Sequence, residues 1–542
     1  MSNHLKKTDA ANPASSNRRK KWLAISVAGL TGMVSLGMLA ATNASADGRS
    51  DDLGGKQGQK DGSGNGWDGR DGGHSGQDGR RVTSVPCDVT ALFAAINEAN
   101  QQFGGTLKLA RNCRYELRNG TATATGSNAL PPITTDITIL GEHSVLERAF
   151  DLASAAPTLF RIFQVNAGGS LRLSDTTLRN GLVTAAPGGG ALLVQAGGRA
   201  ELKDVKLTQN NASTAGVNGG AITNLGTTAL KDTSFTLNNA GASGGAVYNT
   251  GTLTVEKSYF EGNRAQSPAP SGGGAIASAA GSVTIRKSQF VGNQTAGNGG
   301  GLLLTGGSAD VSDSTFRLNV ALGNGGGIAN TGATLQLRDV KFVQNTAILA
   351  GAGLYTGAGT TTTILPGDDR WSTELSEQYR GEAAKEKDSK GGKGGSGEKG
   401  DSGDGKKQAD GRKQADGGKQ ADGGKQAGPV GVEYEKKAEQ HNGTTFFGNV
   451  AGTNGGGIYN GGTLTLSDSV VLRNQAANAG GGIYNAAGAT LVVQRGIITE
   501  NQAGSTGGGI FNGGVATIDV RTLVFRNNPN NCAGTAITNC QG

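Results

Sequence analysis

Two short motifs alternate through most of this chain at a nearly fixed interval, and that interval limits what the chain can fold into. The first is a glycine pair followed by an aliphatic residue, as in Gly219-Gly220-Ala221-Ile222, Gly244-Gly245-Ala246-Val247, Gly273-Gly274-Ala275-Ile276 and Gly455-Gly456-Gly457-Ile458. The second places an apolar residue three positions before an asparagine, as in Phe235 with Asn238 and Phe446 with Asn449. The asparagines so marked are Asn210, Asn238, Asn263, Asn293, Asn319, Asn345, Asn449, Asn474, Asn501 and Asn527. From Asn210 to Asn345 they are 28, 25, 30, 26 and 26 residues apart, and from Asn449 they are 25, 27 and 26 apart. Self-similarity at such a period marks a repeat architecture in which each unit buries its apolar side against its neighbours. A propeller blade needs roughly 40 residues, and leucine-rich repeats need leucines and helices that are missing here.

Each repeat contains three short alternating runs, for example Ile458-Tyr459-Asn460, Thr463-Leu464-Thr465-Leu466 and Ser469-Val470-Val471. At ~3.3 Å per strand residue, three such strands with three turns close one coil in roughly 25 residues. Stacked coils then pair as parallel strands. The expected fold is all-β: a right-handed parallel β-helix (a solenoid) of about 10–13 coils spaced by ~4.8 Å, with its hand set by the crossover preference of parallel strands. Composition agrees, with 95 glycines in 542 residues and aromatics at 5%. That is too little bulk for a conventional core of this length, yet enough for a thin stacked one. Glycine supplies positive φ and close approach at corners. The asparagines are expected to bond from coil to coil as a ladder.

The strict alternation of Gly-Gly-Ala-Ile with Phe-x-x-Asn resembles the polymorphic outer membrane protein repeat. The likeness spans roughly residues 177–365 and 443–528. It implies an exported right-handed β-helix repeat protein. Members of that family carry passenger domains used in adhesion, usually followed by a translocating barrel; the likeness to soluble exported repeat proteins is the closer fit.

Both ends of the chain point to export. Arg18-Arg19-Lys20-Lys21 precedes an uncharged apolar run over 23–41 and the small-residue site Ala44-Ser45-Ala46, the pattern of a secretory signal peptide over 1–46. No second apolar span long enough to cross a bilayer follows, so no membrane span is expected after signal removal. The first 46 residues hold a net +5 of the whole chain's +7, leaving +2 for the remainder, which removes the basis for a nucleic-acid partner. The expected location is secreted, extracellular or cell-wall and surface associated. Cys87 and Cys113 precede the repeats, and Cys532 and Cys540 follow them. Four cysteines allow three pairings. Local pairing, one staple at each end, is the expected one, and it suits an oxidising compartment.

Between these ends, residues 47–81 form a Gly/Asp/Lys-rich stretch expected to be disordered. Residues 82–176 read as an N-terminal cap with irregular entry coils. Within them 88–101 has Leu92, Phe93, Ile96 and Ala99 at helical spacing, behind Asp88 or Thr90 as N-cap. The repeats occupy 177–365 and 443–528, and 529–542 reads as a disulfide-closed C-terminal cap. The array is broken once, by 366–442, a low-complexity insertion of 15 basic and 16 acidic residues with Lys-Gln-Ala at 407–409, 413–415, 419–421 and 425–427. It falls between the second and third strands of its coil and reads as a solvated loop, with a tether or partner-binding arm as the sharper alternative.

Candidate chemistry sits in two columns. Just after the inward aliphatic of the first strand come Thr223, Tyr248, Ala277, Leu303, Ala329, Tyr355, Tyr459, Tyr484 and Phe511. Side-chain alternation turns this column outward. Its last four members are expected to form a flat exposed ribbon suited to sugar rings or a protein partner, or else a self-supporting aromatic ladder. A second column, Asp175, Asp204, Asp232, Lys257, Lys287, Asp313, Asp339, Asp468, Arg495 and Arg521, changes sign along the chain. It reads as turn residues rather than a cation site. No cofactor and no metal are expected. The function expected is non-enzymatic, adhesin-like binding of a glycan or cell-surface protein through a repetitive face. The alternative is a polysaccharide lyase or glycoside hydrolase on the same scaffold, which would need facing carboxylates.

Overall fold

The computed structural model describes residues 82–149, 158–367 and 443–540. The expected signal peptide, the 47–81 stretch and nearly all of the 366–442 insertion lie outside the described residues.

The chain winds into a parallel β-solenoid of about 13 turns, with one helix at its start. A representative turn has four strands. Ile222–Asn224 follows the glycine pair, then Thr227–Lys231, Ser234–Thr236 and the two-residue strand Asn239–Ala240. Each pairs in parallel with its counterpart one turn on: Ile222 with Val247, Thr227 with Thr252, Ser234 with Tyr259 and Asn239 with Arg264. We refer to these strands as the first to fourth columns. The sequence pattern yields only three strands per coil. The fourth column is too short to show an alternation, because each of its strands after the ladder Asn has only two residues.

Backbone chemistry sets the corners. Between the second and third columns one residue per turn is left-handed: Asp232 at φ 50°, Lys257 at 48°, Asp313 at 49° and Arg495 at 53°. From Asp175 to Arg495 this is the sign-changing Asp/Lys/Arg column, and its common property is a left-handed turn residue; Arg521 departs from it. The residue before each ladder asparagine is left-handed as well, as at Leu237 and Gln344. The glycine pair does two jobs. Its first member has positive φ, as at Gly244 (70°). A Cβ on its second member would lie 2.1 Å from the backbone oxygen of the next turn's glycine, as Gly245 does with Gly274, so only glycine fits.

The interior is filled by stacked apolar columns. Phe235, Phe260, Phe290, Phe316, Phe342 and Phe446 are fully buried and stack with ring centroids 4.5 to 5.5 Å apart. Stacking passes the insertion without a break: Phe342 pairs with Phe446, 104 residues on. The insertion therefore leaves after Thr361–Ile364 in the second column and returns before Thr445–Phe447 in the third.

The helix Val89–Gln101 begins at Asp88, whose carboxylate accepts the Ala91 N–H at 2.9 Å. It buries Leu92, Ala95, Ile96 and Ala99 in the solenoid's apolar interior. Phe93, expected on the buried face, is half-buried, and Ala95 takes the inner position. The helix seals the end of the core and packs against the first strand as well. The first strand, Val82–Val85, pairs only with Gly104–Leu109 among the described residues. Disulfides join Cys87 to Cys113 and Cys532 to Cys540, at Cα separations of 5.6 and 6.2 Å. In the entry turns Arg161 is fully buried. It donates to the Thr125 and Pro187 carbonyls at 2.9 and 2.7 Å, and burial pulls its pKa down to about 10.

Candidate functional site

The first column carries the outward aromatic residues. Tyr355, Tyr459, Tyr484 and Phe511 occupy the same register position in consecutive turns. Their rings stack at centroid distances of 5.0, 5.2 and 4.9 Å, with interplanar angles of 12°, 10° and 9°. Toward the N-terminus the same position continues through Ala329, Leu303 and Ala277 to Tyr248, and these form an apolar cluster of their own outside the main core. The result is one uninterrupted apolar strip along eight turns.

The structure corrects two expectations about this strip. It is not flat and exposed. The four aromatics and Tyr248 are half-buried, while Thr223, Ala277, Leu303 and Ala329 are buried although they alternate outward. The reason is the glycine corner, which folds back over the column. A Cβ on Gly480 would lie 2.7 Å from the Tyr484 Cβ, and one on Gly507 would lie 2.8 Å from that of Phe511. Nor are the ring faces open along the ribbon. Each inner face is occupied by the next ring, so the column offers edges and phenol groups, with sugar-face stacking confined to its ends. Beyond Phe511 the register partner is only Ala533. Burial raises the pKa of the Tyr248 and Tyr355 phenols. It does the same for Tyr459, helped by the neighbouring Tyr355 and Tyr484.

Two asparagine ladders run along the stack. In the ladder from Asn210 to Asn527, each carboxamide bonds along the stack. Asn238 Nδ2 donates to Leu207 O at 3.0 Å and to Asn263 Oδ1 at 2.9 Å, and the Asn238 N–H donates to the same Oδ1 at 3.0 Å. All members are buried, and the run ends on Asn531 rather than another repeat. A second ladder, not read from the sequence, lies one residue after the aromatic column. Asn224 donates to Asn249 at 2.7 Å, Asn460 to Asn485 at 2.7 Å and Asn485 to Asn512 at 2.8 Å. Its signal was present in the triplets Ile458-Tyr459-Asn460 and Ile483-Tyr484-Asn485 but is interrupted by Ser278, Leu304 and Thr356.

For the catalytic alternative, the described residues bring acids together sparsely. Glu147 is buried between Arg114 and Arg179. His143 Nδ1 lies 2.6 Å from Asp175 Oδ1, an exposed pair 32 residues apart that the sequence did not reveal. The adjacent Ser144 is buried and bonds Thr176 instead. Among the described residues no group of three or more His, Cys, Asp or Glu side chains comes together. A shallow hollow of about 460 Å³ over the third column, lined by Thr236, Leu237, Glu261, Gly262, Val291 and Gly292, holds one carboxylate.

No described helix is long and apolar enough to cross a membrane. Among curated proteins and among solved structures nothing matches the chain. The family model of the right-handed β-helix region matches residues 161–362, so the chain is similar, over the first part of its repeats, to right-handed β-helix proteins.

Proposed function

We propose that this is an exported β-helical protein of the polymorphic outer membrane protein repeat type, working as an adhesin-like binding rod at or outside the cell surface. The observation that carries the reading is the half-buried aromatic run Tyr355, Tyr459, Tyr484 and Phe511 of the first column, in register over four consecutive turns. Contiguous apolar surface on a protein exterior marks contact surfaces more often than chance. A periodic array also suits an extended ligand, because weak contacts repeated at each turn sum by avidity. Edge-on presentation of the rings favours hydrogen bonding to phenol groups plus edge contact, with a glycan chain or a protein strand as ligand. The leader, the two disulfides and the low charge of the remainder support an extracellular site of action.

The test is binding of the quadruple variant Tyr355→Ala, Tyr459→Ala, Tyr484→Ala and Phe511→Ala to a glycan array and to cell-surface protein extracts. Retention of the β-type circular dichroism would first be checked. Loss of binding is expected, and binding equal to that of the parent protein removes the ribbon from the assignment. The catalytic alternative is separated by incubating the parent protein with a polysaccharide panel. New reducing ends or unsaturated products would replace the binding reading.

A further inference from the structure

A second apolar strip lies on the outer face of the third column, and its chemistry changes where the insertion joins the rod. Around the inward phenylalanines, the outward positions of the earlier turns are mainly polar: Ser234, Thr236, Glu261, Gln289, Thr315 and Arg317. From the next turn onward they are mainly apolar, interrupted by Lys341, Thr445 and Thr499: Val343, Phe447, Val470, Leu472, Ile497 and Phe525 form a cluster separate from the solenoid core. Although these side chains point out of the coil, they are only 1–6% exposed. Turns above and below cover the flanks of such a strip but not its outward side.

Both junctions of the insertion are held at this face. Arg338 Nη1 donates to Pro366 O at 3.4 Å, at the point of departure, and Lys341 Nζ donates to Gly443 O at 2.8 Å, at the point of return. The intervening sequence is uneven. Its large apolar residues are confined to its two ends, Trp371, Leu375 and Tyr379 on one side and Val430, Val432 and Tyr434 on the other. The first three recur at intervals of four, the spacing of one helical face. From 368 to 382 there are five acidic and two basic residues. The strip is bordered by Arg317, Arg338, Lys341, Arg473 and Arg526, with Arg473 also paired to Glu500 at 2.7 Å. Trp371 is four residues past Gly367, within reach at ~3.5 Å per residue.

We propose that the outer face of the third column, from Val343 to Phe525, is a docking surface for the chain's own residues 368–382, with Trp371, Leu375 and Tyr379 on the apolar strip and the acidic side chains toward its basic border.

The test uses the full chain with Trp22→Phe and Trp67→Phe, leaving Trp371 as the single tryptophan. In the folded protein its emission is expected to be blue-shifted and shielded from acrylamide, independently of protein concentration. Leu472→Glu puts a charge into the strip at a cost above ~1.4 kcal/mol, so the docking equilibrium constant should fall by roughly tenfold or more. Quenching should then approach that of the urea-unfolded chain while the circular dichroism stays β-type. Trypsin should cut the 406–425 lysines well before Arg370 and Arg380. If Leu472→Glu disrupts folding, Ile497→Gln serves the same purpose. Quenching in the folded parent equal to the unfolded chain overturns the proposal. So does shielding that is indifferent to both strip variants, and so does shielding that grows with concentration, which would make a second copy the occupant.

Discussion

Asparagine is the residue on which the stack most depends, because each ladder side chain answers backbone and side-chain groups in two neighbouring turns at once. Asn319 Oδ1 accepts from the Asn293 N–H and Nδ2, both at 3.0 Å, and its Nδ2 donates to Phe290 O at 2.9 Å. Asn319→Ala would leave these groups buried without partners. A loss of about 2–5 kcal/mol is expected in urea unfolding, with amide exchange rising first in the two adjacent turns. A loss below ~1 kcal/mol would show that the ladder is replaceable by water. The phenols give a pH prediction. The Tyr355 and Tyr459 pKa values are raised from 10.0 by burial, so the folded state holds its protons after the unfolded chain has released them. Stability is therefore unaffected below that pH and falls as pH rises past about 10. The double variant Tyr355→Phe and Tyr459→Phe should flatten this fall in thermal melts at alkaline pH. A slope unchanged by the variant would place the titrating groups elsewhere.

At the scale of elements, corners and caps decide more than strands do. From Asn211 onward the strands are two to five residues long and have little independent stability. They persist because left-handed residues and glycine pairs bring each turn back into register. The ends lack a neighbour on one side and are closed differently. At the start a helix and the Cys87–Cys113 bridge close the interior. At the finish the Cys532–Cys540 bridge holds a short strand, Cys532–Gly534, against Ile510–Asn512. With separations of 26 and 8 residues, loop-closure entropy gives about 3.5 and 2.5 kcal/mol for the two bridges. Cys87→Ser with Cys113→Ser should thus destabilise the protein more than Cys532→Ser with Cys540→Ser, as read by denaturant midpoints. The reverse order would mean that the helix alone secures the first turns.

The whole molecule behaves as a one-dimensional stack in which each turn touches chiefly its neighbours. Removing one complete turn should therefore be tolerated where removing part of a turn is not. Deleting residues 294–319 joins Asn293 to Val320, whose strand already pairs in register with Gln294. The shortened chain is expected to fold into a rod shorter by ~4.8 Å, measurable by small-angle scattering, with a modest loss of stability. Deleting 294–306 breaks the register of every column and should abolish β-type circular dichroism for the turns beyond it. If both deletions behave alike, the repeats are not the cooperative unit.

The repeat period, the inward columns and the coil-to-coil asparagines were all legible in the linear sequence, because each depends on spacing within one turn that every later turn copies. Phe235 to Phe446 and Asn210 to Asn527 could be placed by counting alone. What spacing could not supply was the outside of the rod. Whether Tyr355, Tyr459, Tyr484 and Phe511 stand free or half-covered depends on the path of the glycine corners over them. That Val343, Phe447 and Leu472 are buried although they point out of the coil is likewise a matter of tertiary contact. His143 meets Asp175, and Arg161 finds its carbonyls, only through the irregular entry turns, where no period exists to count. A solenoid's interior is fixed by local repetition, whereas its surface and its ends are settled by contacts that the chain makes only once.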